Sequence, residues 1–214
     1  MFSNLYLGNT LKKGVIMDFG SSQTRQNIAR AFAGLCQDGA RLQFMSKDAL
    51  DDQMQYLAKL LEEMGKHKIG QAQRLYDLML EHNLQKKDNV VIEAGYPFEK
   101  NEIKTSLDRA AVIEEFEGTN LFVQFAVVAK DEGFSKISSV FELIAKVSLK
   151  HYKILKTLAQ NYNNRLLYKN STPLSWVCSN CGNFVTDKQS WKNCPLCQKA
   201  KGYVILPEDK LISS

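Results

Sequence analysis

Proline is scarce in this chain, and its placement is informative. Only four prolines occur in 214 residues, and none falls inside the four segments whose apolar residues recur with a helical period. A proline inside a helix removes a hydrogen bond and clashes with the turn before it, so its absence there permits long unbroken helices. Long apolar runs are also missing. No stretch approaches the roughly 18 apolar residues of a membrane span, and the N-terminal sequence MFSNLYLGNTLKKGVIMDFGSSQ lacks the apolar core of a secretory signal. No membrane partner is therefore expected, and a reducing cytoplasm is the expected compartment. Charge of one sign is not in large excess. The 28 Lys and Arg against 23 Asp and Glu leave a net charge of +5, with lysines interspersed among acids and not gathered in a stripe. That pattern argues against nucleic acid as a partner. Histidine is limited to three residues and cysteine to five, and four of those cysteines crowd between positions 178 and 197.

Those four, Cys178, Cys181, Cys194 and Cys197, form two Cys-x-x-Cys pairs with twelve residues between them. Each pair makes a tight turn that aims two sulfurs at one point, so two turns supply the four thiolates that iron or zinc accepts. The surrounding sequence offers Gly182 after the first turn, Pro195 inside the second, and an aromatic shell of Trp176, Phe184, Trp191 and Tyr203. So short a segment cannot bury a large apolar core and depends on its metal to fold. Two structural disulfides are the alternative, disfavoured by the reducing compartment.

Upstream, helices are expected over about Ser22–Met45, Ala49–Glu81, Thr105–Asp131 and Ser135–Tyr162. The polar stretch around Pro97 separates the second from the third, which makes a long crossover between two helical hairpins. The expected fold is mainly α, a four-helix bundle with a small metal module. Residues 1–21 form an extension, 22–169 the bundle, 170–175 (Asn-Ser-Thr-Pro-Leu-Ser) a linker and 176–214 the module. A weak echo between the hairpins at an offset of 80 residues suggests a duplicated unit.

Polar residues interrupt the apolar stripes of the bundle. On the second helix Lys68 and Gln71 share the face of Leu57, Leu60, Leu61, Met64, Leu75 and Leu78. Glu114 and Glu117 interrupt the stripe of Ala110, Ile113, Leu121 and Val128, while Ser148 and His151 interrupt that of Ile137, Val140, Phe141, Ile144, Leu155 and Leu158. Each polar pair is spaced i, i+3, which puts both side chains on one side of a helix. Three such pairs predict a polar cluster in the bundle core. Elsewhere, Cys36 reads as a packing residue, Glu63 and His67 as solvated flank residues at i, i+4, and His82 as a surface residue.

Inward polar pairs on several helices are how bundles assemble dinuclear carboxylate sites. With ARAFAG at 29–34, FAVVAKDEGFSKISSVFELIAKVSLKH at 125–151 and the cysteine module, the chain resembles the rubrerythrin family from about Ser22 onward. The resemblance implies a ferritin-like bundle with a di-iron centre, a rubredoxin-like domain with one iron, peroxidase activity and pairing into dimers. The family's seven di-iron ligand positions fall on Leu35, Lys68, Gln71, Glu114, Glu117, Ser148 and His151. Only Glu114, Glu117 and His151 keep a ligand side chain, and both glutamates that would bridge the irons are missing.

Two buried irons need several carboxylates for neutrality, whereas this set offers two and adds a lysine. The expectation is an ionic cluster with the Lys68 ammonium in place of a cation, and no di-iron centre. The alternatives are a lysine that snorkels to the bundle end and a single metal held by Glu114, Glu117 and His151. Three functions follow. The first is an iron-binding electron-transfer protein of oxidative-stress defence, working as a homodimer with a redox partner protein. The second is a peroxide reductase on a rebuilt metal site, and the third a zinc-stabilised binding protein without enzymatic activity.

Overall fold

The computed structural model of the chain describes residues 17–82, 89–93, 95, 98, 102–207 and 210–211. The expected extension over 1–16 and most of the crossover lie outside the described residues. Among the described residues there are four long helical runs. Helix α1 spans Gln23–Asp51, α2 Gln55–His82, α3 Ile103–Phe116, α4 Phe122–Asp131 and α5 Ser135–Asn163. Ser22 starts α1, its Oγ accepting the Arg25 N–H at 3.1 Å. This satisfies one of the donors that a helix leaves free at its first turn.

The first helix ends later than the expected break near Ser46. Ser46 faces inward, and its hydroxyl donates to the Ala58 carbonyl at 2.8 Å, tying α1 to α2 instead of ending the helix. The chain reverses at Asp52–Met54, where Gln53 adopts a left-handed φ of 57°. The third expected helix is interrupted as well. One π turn, Glu117–Leu121, separates α3 from α4 and inserts an extra residue into the helical period. Beyond it the buried positions are Phe122, Ala126 and Ala129, so the expected Leu121 and Val128 are only half-buried. Gly118 lets this turn lie against α5, since a Cβ there would meet Leu149 Cγ at 2.7 Å and the Ala145 carbonyl at 3.0 Å.

The bundle core is divided along its length. Near one end, Leu42, Met45, Leu57, Leu61, Leu107 and Leu158 form one apolar cluster. Toward the other, Ile28, Leu35, Leu75, Phe122, Ile137 and Phe141 form a second. Lys68, Glu114, Glu117, Ser148 and His151, all buried, lie between the two clusters on their helices. The predicted polar cluster is present.

Three antiparallel strands build the C-terminal module: β1 (Lys169–Cys178), β2 (Phe184–Gln189) and β3 (Val204–Ile205), in the order β2-β1-β3. The segment 170–175, expected as a linker, belongs to β1. It pairs with β2 at Lys169↔Gln189 and Leu174↔Asp187, with an irregularity between them. Leu167 and Leu206 join the apolar cluster of Leu155 and Leu158, which fastens the module to the bundle end. Gly202 packs on the turn after α1 so closely that a Cβ would fall 1.8 Å from the Gln53 carbonyl oxygen. Gly202→Ala is therefore expected to force the module off the bundle, at a cost of roughly 1–3 kcal/mol. Limited proteolysis near Leu167 should accelerate while the metal content stays unchanged.

Candidate functional site

The four cysteines converge as their spacing predicts. Their Sγ atoms all lie within 4.8 Å of one another, with Cys178 to Cys197 and Cys181 to Cys194 at 3.7 Å. That separation is close to the edge, about 3.8 Å, of a tetrahedron with metal–sulfur bonds of about 2.3 Å. It is far longer than a disulfide bond of about 2.05 Å, so the four are free thiols and the disulfide alternative fails.

Two similar turns hold the sulfurs. The Gly182 N–H donates to the Cys178 carbonyl at 2.9 Å, and the Gln198 N–H to the Cys194 carbonyl at 2.9 Å. Each turn closes with a left-handed residue, Gly182 at φ 72° and Gln198 at φ 61°. Glycine adopts that conformation without strain, whereas Gln198 is held in it by the turn. Cys178 and Cys194 are buried, while Cys181 and Cys197 form the half-buried edge of the site. The Lys199 N–H favours the Cys197 thiolate and brings its pKa down to about 6. At Cys181 the Asn183 N–H acts in the same direction, but burial and the neighbouring sulfurs prevail and push it up to about 12. Four adjacent thiols do not all ionise unaided, and a bound cation is what makes the full thiolate set favourable. Of the expected aromatic shell, Trp176 is fully buried and donates Nε1–H to the Asp187 carbonyl at 2.9 Å. Trp191 and Tyr203 are half-buried, and Phe184 instead projects into solvent at 71% exposure.

At the bundle centre Lys68 has 0% exposure, so it does not snorkel. Its Nζ donates to Glu114 Oε2 at 2.7 Å, to Glu117 Oε2, and to Ser148 Oγ at 3.2 Å. The Ser148 hydroxyl in turn donates to Glu117 Oε2 at 3.0 Å. On the far side, His151 Nδ1 lies 3.1 Å from Glu114 Oε1. Its Nε2 lies 3.2 Å from Nδ1 of the exposed His67, with the two rings stacked at 5.4 Å.

Two participants escaped the sequence reading. Asp38 on α1 bonds to Glu117 and also pairs with Arg41 at 3.1 Å. It lies one turn after Leu35, and that i, i+3 offset was the available signal. His67 was expected to be solvated beside Glu63 and is exposed, but it also closes the chain Glu114–His151–His67. Leu35 and Gln71 stay out of the cluster. Leu35 is part of the second apolar cluster, and Gln71 Oε1 is buried without a hydrogen-bond partner among the described residues. Cys36 is half-buried, with burial raising its thiol pKa, as suits a packing residue. His82 is exposed as expected, with its ring against Phe19 at 4.7 Å.

Burial works against the Lys68 ammonium, yet Glu117 and Glu114 outweigh it and hold its pKa above the ordinary lysine value. Burial likewise pushes Glu114 upward, and its bonds to His151 and Lys68 more than reverse that. Glu117 behaves oppositely. Burial, with Glu114 and Asp38 adding to it, pushes its pKa up to about 8 despite Lys68, and burial raises Asp38 too. Glu114 is thus the carboxylate held ionised beside Lys68, while Glu117, which faces Asp38, is the carboxyl of the cluster whose ionisation burial opposes most. Since folded Glu117 keeps its proton above the usual carboxylate range, its contribution to stability is complete below about pH 4.5. It is lost as the pH rises through about 8. Chemical denaturation across that interval should show falling stability, and Glu117→Gln, which cannot ionise, should flatten the profile.

The family model described as Rubrerythrin matches residues 26–159 and 106–174. The rubrerythrin of Clostridium perfringens (strain 13 / Type A) is 31% identical over 183 residues, covering 85% of this chain and 93% of that protein. The rubrerythrin of Porphyromonas gingivalis (strain ATCC BAA-308 / W83) is 28% identical over 183 residues, covering 85% and 88%. Among solved structures, nigerythrin in a mixed-valence state superposes with a TM-score of 0.57 at 18% identity, covering 96% of this chain and 100% of that one. With the family model spanning both hairpins and the start of the module, and the four-cysteine cluster in place, the chain belongs to the rubrerythrin family.

Proposed function

We propose that this protein transfers electrons through one iron in its four-cysteine site, in the service of oxidative-stress defence, with an ionic cluster in place of a di-iron centre. Family membership supports an iron-binding redox protein. The observation that carries the finer reading is Lys68, whose buried ammonium is bonded to both remaining glutamates and to Ser148. A cation bound beside it would meet Coulomb repulsion and find its carboxylates already engaged. The donor set does not fit two irons.

The cysteine site fits its metal well. Iron bound there supplies a one-electron ferric–ferrous couple. The buried Cys178 and Cys194 keep water from the inner side. The N–H groups of Asn183 and Lys199 stabilise the thiolates of Cys181 and Cys197, and these sulfurs form the edge that a redox partner protein approaches. No helix among the described residues is long and apolar enough to cross a membrane.

Freshly purified protein should be red, with one iron per chain, and Cys194→Ser should lose both colour and metal while the helical content persists. The combined change Leu35→Glu, Lys68→Glu, Gln71→His and Ser148→Glu should admit two further irons. Three irons in the unmodified chain would overturn the reading in favour of a rebuilt peroxide-reducing site, which Asp38 favours by adding a carboxylate. A colourless chain with one zinc would leave the module purely structural.

We also propose a homodimer. Val112, Phe116, Val123 and Val127 leave a row of apolar side chains on the outer face of α3 and α4, exposed by 64%, 53%, 44% and 55%. Such a row is unusual on a solitary bundle and suits a second copy of the chain. Light scattering at micromolar concentration should give twice the chain mass, and a stable monomer would dismiss the pairing.

A further inference from the structure

Where the module meets the bundle end, the fold leaves a half-open cleft of about 1060 Å³. Its walls come from the turn after α1, the end of α5, the start of β1, and the loops that flank the second cysteine turn. Among the described residues five cationic ones line it, Lys104, Arg165, Lys169, Lys192 and Lys201, against a single carboxylate, Asp52. None of the five has an ion-pair partner among the described residues. These residues are spread over nearly a hundred positions, and the fold brings them together.

The cleft is more than a basic patch. Tyr168 and the half-buried Trp191 line it, and the Lys201 ammonium lies 5.4 Å from the Tyr168 ring centre. Burial, with Tyr162 adding to it, pushes the Tyr168 phenol up to about 12, so Tyr168 stays a neutral donor. Asn163 and Asn193 add amides able to donate and accept. On the same wall, Ser190 Oγ and Trp191 Nε1 are buried donors without a hydrogen-bond partner among the described residues. Ser190 is itself only 6% exposed.

From this arrangement we infer that the cleft binds a nucleoside polyphosphate. Lysines and an arginine suit the phosphates, by charge and by hydrogen bonding. A bare anion would leave the aromatic walls unused, whereas a planar base packs against such rings. The volume lies just above the usual range for small-molecule sites, roughly 300–1,000 Å³, as suits a ligand that carries both a base and several phosphates. The cleft is closed on one side by Gly202 packed against Gln53, so it is a wedge and not an open track along which a nucleic-acid strand runs. This site is separate from the cysteine sulfurs and from the Lys68 cluster, and it does not depend on how many irons the chain carries.

The test is calorimetric titration of the metal-loaded full chain with ATP at low salt. One ATP per chain should bind saturably and weaken as salt is added. Tripolyphosphate should bind at least roughly tenfold more weakly, and adenosine more weakly still. The double variant Lys169→Glu with Lys192→Glu should lose roughly tenfold or more in ATP affinity, with visible spectrum and helicity unchanged. The inference is overturned by an absence of saturable ATP binding, or by an affinity that survives the double charge reversal. Tripolyphosphate binding as tightly as ATP would remove the base from recognition and overturn the nucleotide assignment. A single-stranded oligonucleotide that outcompetes ATP would overturn it in favour of nucleic acid.

Discussion

A single ammonium group constrains the bundle more than any apolar contact does. Burying Lys68 at 0% exposure is costly unless each of its protons finds an acceptor, and the acceptors come from different parts of the chain. Glu114 ends α3, Glu117 opens the π turn and Ser148 sits in α5. Asp38 of α1 reaches the same group through Glu117. All four helical runs are therefore held in register at one level. Sliding any of them by a turn would bring leucine or phenylalanine from one of the flanking clusters against a buried charge. Apolar packing alone tolerates such slips better than a hydrogen-bonded ionic layer does.

The metal module follows a different physical logic. Its three short strands bury little, with Trp176 as the large fully buried side chain, and two backbone turns carry the geometry. Ligand convergence is local here, set within each Cys-x-x-Cys and requiring only that two turns face each other. The bundle cluster is the opposite case, because its members are up to 84 positions apart in pairwise contact, as His67 and His151 are.

That difference explains what the sequence made legible. Two Cys-x-x-Cys pairs announce their geometry directly, and the apolar period of the long helices is strong enough to locate them and their inward polar pairs. Lys68 with Glu114 and Glu117 was foreseeable because charged residues on an apolar face have to meet each other. The π turn was not, since a single inserted residue leaves each half with a correct period and only shifts the phase, from Leu121 to Phe122 and from Val128 to Ala129. Asp38 was hidden for a related reason, lying on a helix where the family's ligand position falls on Leu35. The end of α1 was misplaced because polar residues suggested a break where Ser46 in fact bonds across to Ala58. The basic cleft had no sequence signal, because its cations lie on elements that only the folded chain brings together.

The continuity of β1 has a consequence for how electrons arrive. A strand paired at both of its ends, together with Leu167 and Leu206 seated among the leucines of α5, leaves the thiolate site without a swinging arm. Reorientation of a tethered carrier usually lets one redox group visit donor and acceptor in turn. Here the centre stays put. On the electron-transfer function proposed above, each electron is delivered to a stationary address and collected from it, and throughput then depends on how often the proposed partner collides productively with the Cys181 and Cys197 edge. Such encounters obey the kinetics of bimolecular association, with their dependence on partner concentration and ionic strength.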